Sequence, residues 1–419
     1  MTSLNTVVIG IRLVISFFIR GLISRELGEI AFRRMGDIRS LIQIATSFGQ
    51  LGIFNGIVKY VSEYKDDKAK LQQLFSTAFV FFTIGTVGTS LAFLVFAPQV
   101  NAWLMKEGDY VFYIRLIGSV VPFIALSRVF LGVINGLSAY KRFSKIDLLT
   151  YLVSAALQVI LLIQFRLEGI LIAIICTPII QFFTILFAGR KILFEYIDLK
   201  KIAWKLPFGN ALFVFTIMSF VSTVLLNTVD IRIRGDITAS ISEEKAGIWT
   251  AMTDLSKNYM VFANALFTLY IIPKFAAIYS GEAFFKEVKN IYKTLLPIFG
   301  AGMLLVYFLR GFYVDIMHPG FDGLKELFKW QLLGDFIRLA AMILAHQFLA
   351  KKLVRNFVFT ELLSLGLFYA FAKLLSAKYG VEGVVMGHLV RYIIYFIVVA
   401  FLVYRYFRKQ GNMVKPTAT

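Results

Sequence analysis

The chain has 419 residues, 58% hydrophobic, 16% aromatic and only 16% charged, with a net charge of +19 and a mean hydropathy of +0.76. Soluble domains run near 45–50% apolar and about 25% charged, so this composition excludes a water-soluble globular protein and indicates an integral membrane one. A single cysteine, Cys176, excludes a disulfide framework or thiolate metal site, and His318, His346 and His388 are too scattered in sequence to suggest metal ligands.

The first apolar run, MTSLNTVVIGIRLVISFFIRG, lacks an early basic region and a small-residue cleavage site, and reads as a retained first helix. Residues 71–105 and 206–229 contain no charge at all. Both exceed the roughly 20 apolar residues that cross a hydrocarbon core about 30 Å thick. The runs are continuous, without the ten-residue alternation of barrel strands, so they read as helices. About twelve spans are expected on this basis, centred near residues 14, 49, 85, 123, 156, 178, 219, 259, 301, 337, 366 and 394.

An even number of spans puts both termini on one side. Lysine and arginine concentrate in alternate breaks, at 59–70, 141–145, 190–205, 274–293 and 351–355, and in the tail. By the positive-inside rule both termini are then cytoplasmic. The basic charge is largely topological, and no nucleic-acid partner is needed to explain it. No GxxxxGK[ST] motif is present, so the chain has no nucleotide motor and must draw on gradients or another protein. Breaks of roughly 20 residues or fewer also leave no room for the large catalytic loops of a polysaccharide polymerase or glycosyltransferase.

The sequence echoes itself at nearly half its length. Lys59-Tyr60 with Tyr64 faces Lys274-Phe275 with Tyr279, RLIG at 115–118 faces QLLG at 331–334, and Asp147-Leu148-Leu149 faces Glu361-Leu362-Leu363. The shifts are 215, 216 and 214. A shift of six spans preserves orientation, which predicts a parallel repeat with lobes at 1–205 and 206–419 and a basic linker at 189–205.

In GQLGIFNGIVKYVSEY (49–64), Gly52 and Gly56 form a GxxxG pair extended by Gly49, which predicts a close-packing helix seam. Lys59, Tyr60 and Tyr64 then mark its membrane interface, and Asn55 is a candidate polar contact. Pro122 and Pro273 predict kinks or helix ends.

Charge inside a span is costly and marks a partner or a wet cavity. The candidates are Arg12, Arg115, Arg128, Asp254, Lys257, Asp335, Arg338, Glu361 and Arg391, with Arg39 at the entry to the second span. Asp254/Lys257 and Asp335/Arg338 each share a helix face, as local ion pairs or as a cavity wall. Arg12, Arg115 and Arg391 are expected to snorkel to an interface. NTVDIRIRGDITASISEEK (227–245) reads as a solvated outer loop, with Asp230 and Arg232 nearest the membrane.

LGIFNGIVKYVSEYKDD (51–67), IRSLIQ (38–43), AGIWTAMTDLSKNYMVF (246–262), YIIPKFA (270–276) and LFKWQLLGDFIRLAA (327–341) together resemble the bacterial Wzx-type flippases of lipid-linked oligosaccharides. These belong to the multidrug/oligosaccharidyl-lipid/polysaccharide exporter superfamily. The blocks follow the order of that family, although Asp254 and Lys257 depart from its pattern. The resemblance implies an all-α polytopic fold of two six-helix lobes around a cavity, like that of the MATE transporters, in the bacterial inner membrane. It implies no enzymatic step and no cofactor or metal. The implied substrate is an undecaprenyl-pyrophosphate-linked glycan of the O-antigen or enterobacterial common antigen type, moved to the periplasmic leaflet. A polysaccharide polymerase and a chain-length regulator are the implied partners. On this reading Arg39, Asn55, Arg128, Lys257 and Arg338 are candidates for the pyrophosphate and sugars, as charge-assisted or amide contacts. Asp230, Asp254 and Asp335 are candidate counter-ions or coupling sites for H⁺ or Na⁺ antiport. The alternative, a drug or cation exporter on the same fold, calls for a more acidic cavity.

Overall fold

The computed structural model describes residues 2–105 and 108–413. Among these the chain is helical with no strand, and its contacts define two compact units, Met1–Gly235 and Asp236–Thr419. The first contains α1 (Thr2–Gly49), α2 (Phe54–Tyr64), α3 (Lys68–Val95), α4 (Ala97–Leu104), α5 (Val111–Gly136), α6 (Tyr140–Tyr196), α7 (Gly209–Ser219) and most of α8 (Leu226–Ser240). A π-helical turn, Phe220–Leu225, joins the last two. The second contains α9 (Glu243–Leu266), α10 (Ile272–Ala277), α11 (Gly281–Phe308), α12 (Arg310–Met317), α13 (Leu324–Ala350) and α14 (Val354–Met413). A second π turn, Phe267–Ile271, joins α9 to α10 without a break in the helical backbone, so Pro273 lies inside a continuous helical stretch just after the π turn.

Among the described residues, seven helices are long and apolar enough to cross a membrane, or eight if the bent pair at Gly10–Gly49 and Phe54–Tyr64 is one span. This is a multi-pass membrane protein. The 57 residues of α6 would extend roughly 85 Å as one rod, nearly three times the hydrocarbon core. The rod is broken instead: α1 at Gly28 (φ 66°), α6 at Arg166 (φ 49°) and α14 at Gly380 (φ 57°) leave the helical region and change direction. Each is therefore two helices joined at a kink. Left-handed backbone suits glycine; at Arg166 it carries a steric penalty of about 1 kcal/mol or more.

The internal repeat is visible in the elements. Helices α3 and α11 have 28 residues each, α4 and α12 eight each, and α5 and α13 have 26 and 27. The breaks at Arg166 and Gly380 stand 214 residues apart, and each is followed three residues on by a glycine, Gly169 or Gly383. A side chain at either would collide with the carbonyl of Leu161 or Leu375 in the incoming arm.

Lipid tails are as apolar as leucine, so helices in a bilayer associate through close van der Waals packing. Gly52 and Gly56 provide it. A Cβ on Gly56 would lie 2.6 Å from Leu212 and 3.0 Å from Phe215, while Gly52 faces Ser219. The α2 seam therefore docks on α7. Its opposite side inserts Ile57 and Val61 against Gly132 and Gly136 of α5, within a core that includes Leu74, Phe75, Ile134 and Ile185.

One expectation is overturned. Most of the segment 227–245 is the helix α8 with a short break before α9, and the solvated loop is absent. Asp230 and Arg234 are buried in it at 8% and 1% exposure. A buried arginine is tolerable there because Asp37 lies opposite it.

Candidate functional site

Four helical arms of the first unit enclose a cavity of about 310 Å³. Arg39, Gln43 and Thr46 come from α1, Arg128 from α5, Gln158 from the first arm of α6, and Thr177 and Gln181 from its second arm. Arg39 and Arg128 are thus brought to one pocket from 89 residues apart in sequence. A water occupies roughly 30 Å³ of liquid volume, so this space suits a diphosphate or a single sugar ring. Thr46 and Thr177 hydroxyls donate to the carbonyls of Ile42 and Ala173, at 2.6 and 3.1 Å, which leaves their lone pairs for a ligand's hydroxyls.

The Arg128 guanidinium lies 5.7 Å from the Phe54 ring centroid, and no carboxylate of the described residues pairs with it. An arginine at mid-membrane costs about 2.5–3.5 kcal/mol on insertion scales. An anion with several oxygen acceptors would relieve that cost. Guanidinium forks match phosphate geometry in particular.

A second arginine arrangement in this unit has a carboxylate at its centre. Asp37 accepts from Arg234 Nε at 2.6 Å and from the Tyr110 hydroxyl at 3.2 Å, with Arg33 Nε at 3.5 Å. Arg234 also donates to Gly36 O and Ser40 Oγ, tying α8 to α1. The i,i+4 pair Arg33/Asp37 was the available sequence signal. It lies in a charged stretch between two expected spans, and so did not register.

The second unit holds a buried carboxylate network on α13. Asp335 is fully buried, and its Oδ2 accepts from Ser256 Oγ at 2.6 Å, Gln331 Nε2 at 3.1 Å and the Tyr259 hydroxyl. Its Oδ1 faces His388 Nε2 at 3.0 Å and Arg338 Nη1 at 3.9 Å. The imidazole bridges onward, with Arg391 Nη2 3.4 Å from its Nδ1. Gly334 makes room for the ring, since a Cβ there would strike it. The local pairing of Asp335 with Arg338 is therefore only the outer edge of a larger network, and His388 is not an isolated histidine. Arg391 is buried at 5% exposure, stacked between Phe368 and Tyr392 and not snorkelling. Arg12 likewise pairs with Asp147 and lies over Tyr151.

The other candidates disperse. Asn55 is exposed at the start of α2 and Lys257 is exposed on α9, whereas Asp254 is buried on α9 and Asp230 on α8. Among the described residues no group of three or more His, Cys, Asp or Glu side chains could hold a metal.

A family model described as polysaccharide biosynthesis protein matches residues 22–314, well over half of the chain. The chain belongs to this family. Two curated relatives, each named lipid III flippase, come from Escherichia coli (strain K12) and Shigella flexneri. Each is 26% identical over 389 residues, covering 90% of this chain and 92% of its own. Among solved structures, the inward-facing conformation of a multidrug resistance MATE family transporter of the MOP superfamily gives a TM-score of 0.76. It is 12% identical and covers 97% of this chain and 96% of its own. The lipid II flippase MurJ, inward closed, gives 0.70 at 13% identity, covering 96% and 87%. This polysaccharide biosynthesis protein therefore has the all-α fold of those transporters, as its two helical repeats led one to expect. Its three pocket glutamines had no comparable signal in the sequence, being single amides in three separate apolar runs.

Proposed function

We propose that this protein is a flippase that moves a polyprenyl-pyrophosphate-linked oligosaccharide from the cytoplasmic to the periplasmic leaflet by alternating access, with no covalent step. The observation that carries the reading is the pocket of Arg39 and Arg128 with Gln43, Gln158 and Gln181 inside a membrane unit. Cations receive the diphosphate, amides and hydroxyls receive sugar hydroxyls, and the prenyl tail stays in lipid. The names of the two curated relatives support the same substrate class. A drug-cation exporter is disfavoured, because the Arg128 guanidinium, with no carboxylate partner among the described residues, repels a cationic cargo.

On this reading the two lobes are 1–205 and 206–419, both termini are cytoplasmic, and the protein works in the inner membrane beside a polymerase and a chain-length regulator. Arg338 and Lys257 are candidates, on the second unit by itself, for acidic or hydroxyl groups of the glycan. Asp335, with His388, is the site at which H⁺ or Na⁺ couples to the cycle, and Asp254 and Asp230 are counter-ions.

Complementation in a flippase-deficient strain, with the accumulated lipid-linked glycan identified by mass spectrometry, tests the proposal. Rescue by the wild-type chain and loss of the cytoplasmic intermediate are expected. Failure to rescue strains that make several different repeat units would refute it.

A further inference from the structure

The connection after α6 is held on the membrane protein as an ordered shelf. Gln72 Nε2 donates to Tyr196 O at 2.7 Å, Ala203 N donates to Ser76 Oγ at 3.2 Å, and Phe208 N donates to Thr77 Oγ1 at 3.1 Å. These partners lie on one side of the start of α3. A short 3₁₀ turn, Leu199–Lys201, sits between them.

What the shelf exposes is unusual for a connection bathed only in water. Leu199 and Trp204 are each 61% exposed and Leu206 is 53% exposed. They alternate with Lys200, Lys201 and Lys205, and Trp204 meets the exposed Phe79 edge-on at 6.0 Å. Beneath the shelf lies a cavity of about 700 Å³ whose lining includes Lys68, Gln72, Lys200 and Lys201. Glu195 and Asp198 line it as well. Asp198 is engaged, accepting from Lys200 N at 3.1 Å and lying 3.5 Å from Lys201 Nζ. No carboxylate of the described residues pairs with the ammonium of Lys68, Lys200 or Lys205. Gln72 Oε1 is buried and accepts no hydrogen bond from the described residues.

We propose that this shelf binds an anionic phospholipid of the cytoplasmic leaflet whose headgroup carries both a phosphate and hydroxyls, as in phosphatidylglycerol. The apolar side chains enter the acyl boundary, with the tryptophan at headgroup level. Lys68, Lys200 and Lys205 face the phosphate, and Gln72 Oε1 accepts from a headgroup hydroxyl. Binding there would clamp the connection against α3. The site involves none of the residues of the transport pocket.

Tryptophan quenching tests this with the full chain in phosphatidylcholine nanodiscs doped with either dibrominated phosphatidylglycerol or dibrominated phosphatidylcholine. The Trp204 signal is the difference between wild type and Trp204→Phe, and the buried Trp249 reports that each variant is folded. Each lysine near an anionic surface favours contact about fivefold and the two carboxylates cancel two of the three, so quenching by the anionic lipid should be about fivefold stronger. The preference should weaken as salt shortens the Debye length. It should vanish in Lys68→Gln/Lys200→Gln/Lys205→Gln. Equal quenching by both lipids, no quenching by either, or a preference that survives the triple substitution would overturn the proposal. None of these readouts depends on transport.

Discussion

Replacing Arg128 by glutamine should lower transport about ten- to a hundredfold while leaving the protein as stable as before or more so. A hydrogen bond to a charged group contributes about 1.5–3 kcal/mol, which sets the loss expected when a diphosphate forfeits one guanidinium. The stability half follows from the missing carboxylate: Arg128 has no anionic partner among the described residues, so its removal strands no buried charge. It also relieves the roughly 2.5–3.5 kcal/mol of inserting the cation. Arg128→Lys should be intermediate, since ammonium keeps the charge but loses the two-pronged geometry. Arg234→Gln provides the contrast. It leaves Asp37 short of its closest cation, at 2.6 Å, and should destabilise the fold by about 3–5 kcal/mol. Flipping in proteoliposomes and thermal unfolding in detergent separate the two outcomes. Normal transport in a well-folded Arg128→Gln protein removes this arginine from the mechanism.

Asp335→Asn should abolish gradient-driven transport, by at least about tenfold, with the fold preserved. Asparagine has the same shape, and with its oxygen in the place of Oδ2 it still accepts from Ser256, Tyr259 and Gln331. It cannot take a proton or balance a cation. Asp335→Leu should instead cost about 3–5 kcal/mol, because it strands buried donors from Ser256, Tyr259 and Gln331 beside a guanidinium. Uptake with and without an imposed H⁺ or Na⁺ gradient provides the measurement. Gradient stimulation that persists in Asp335→Asn excludes this carboxylate as the coupling group.

The spans, the repeat and the glycine seam were legible because the bilayer acts on each residue separately: length, charge and small side chains are local properties. Arg39 and Arg128 stood out for the same reason, as costly charges in apolar surroundings. What escaped were groups whose meaning lies in convergence. His388 lies 53 residues from Asp335 and reaches it only because α14 passes over Gly334. Gln43, Gln158 and Gln181 become a binding surface only where the two arms of α6 fold back around α1 and α5. Arg234 reads as solvent-facing in the sequence because nothing in its neighbourhood names Asp37, 197 residues away, as its counter-ion. Asn55, a polar residue among glycines, stands on an exposed face of α2 and is not among the residues that line the pocket.

The uncompensated charge of Arg128 also makes the empty pocket responsive to voltage. One elementary charge carried across the full field is worth about 2.3 kcal/mol per 100 mV. On the proposed cycle, an inside-negative potential would draw the positive pocket toward the cytoplasm, where the anionic head would be loaded. A diphosphate that neutralised Arg128 would release the pocket from the field and let it turn outward. The membrane potential would then act mainly on the return of the unloaded carrier, so that the field would reset the cycle between one lipid-linked chain and the next.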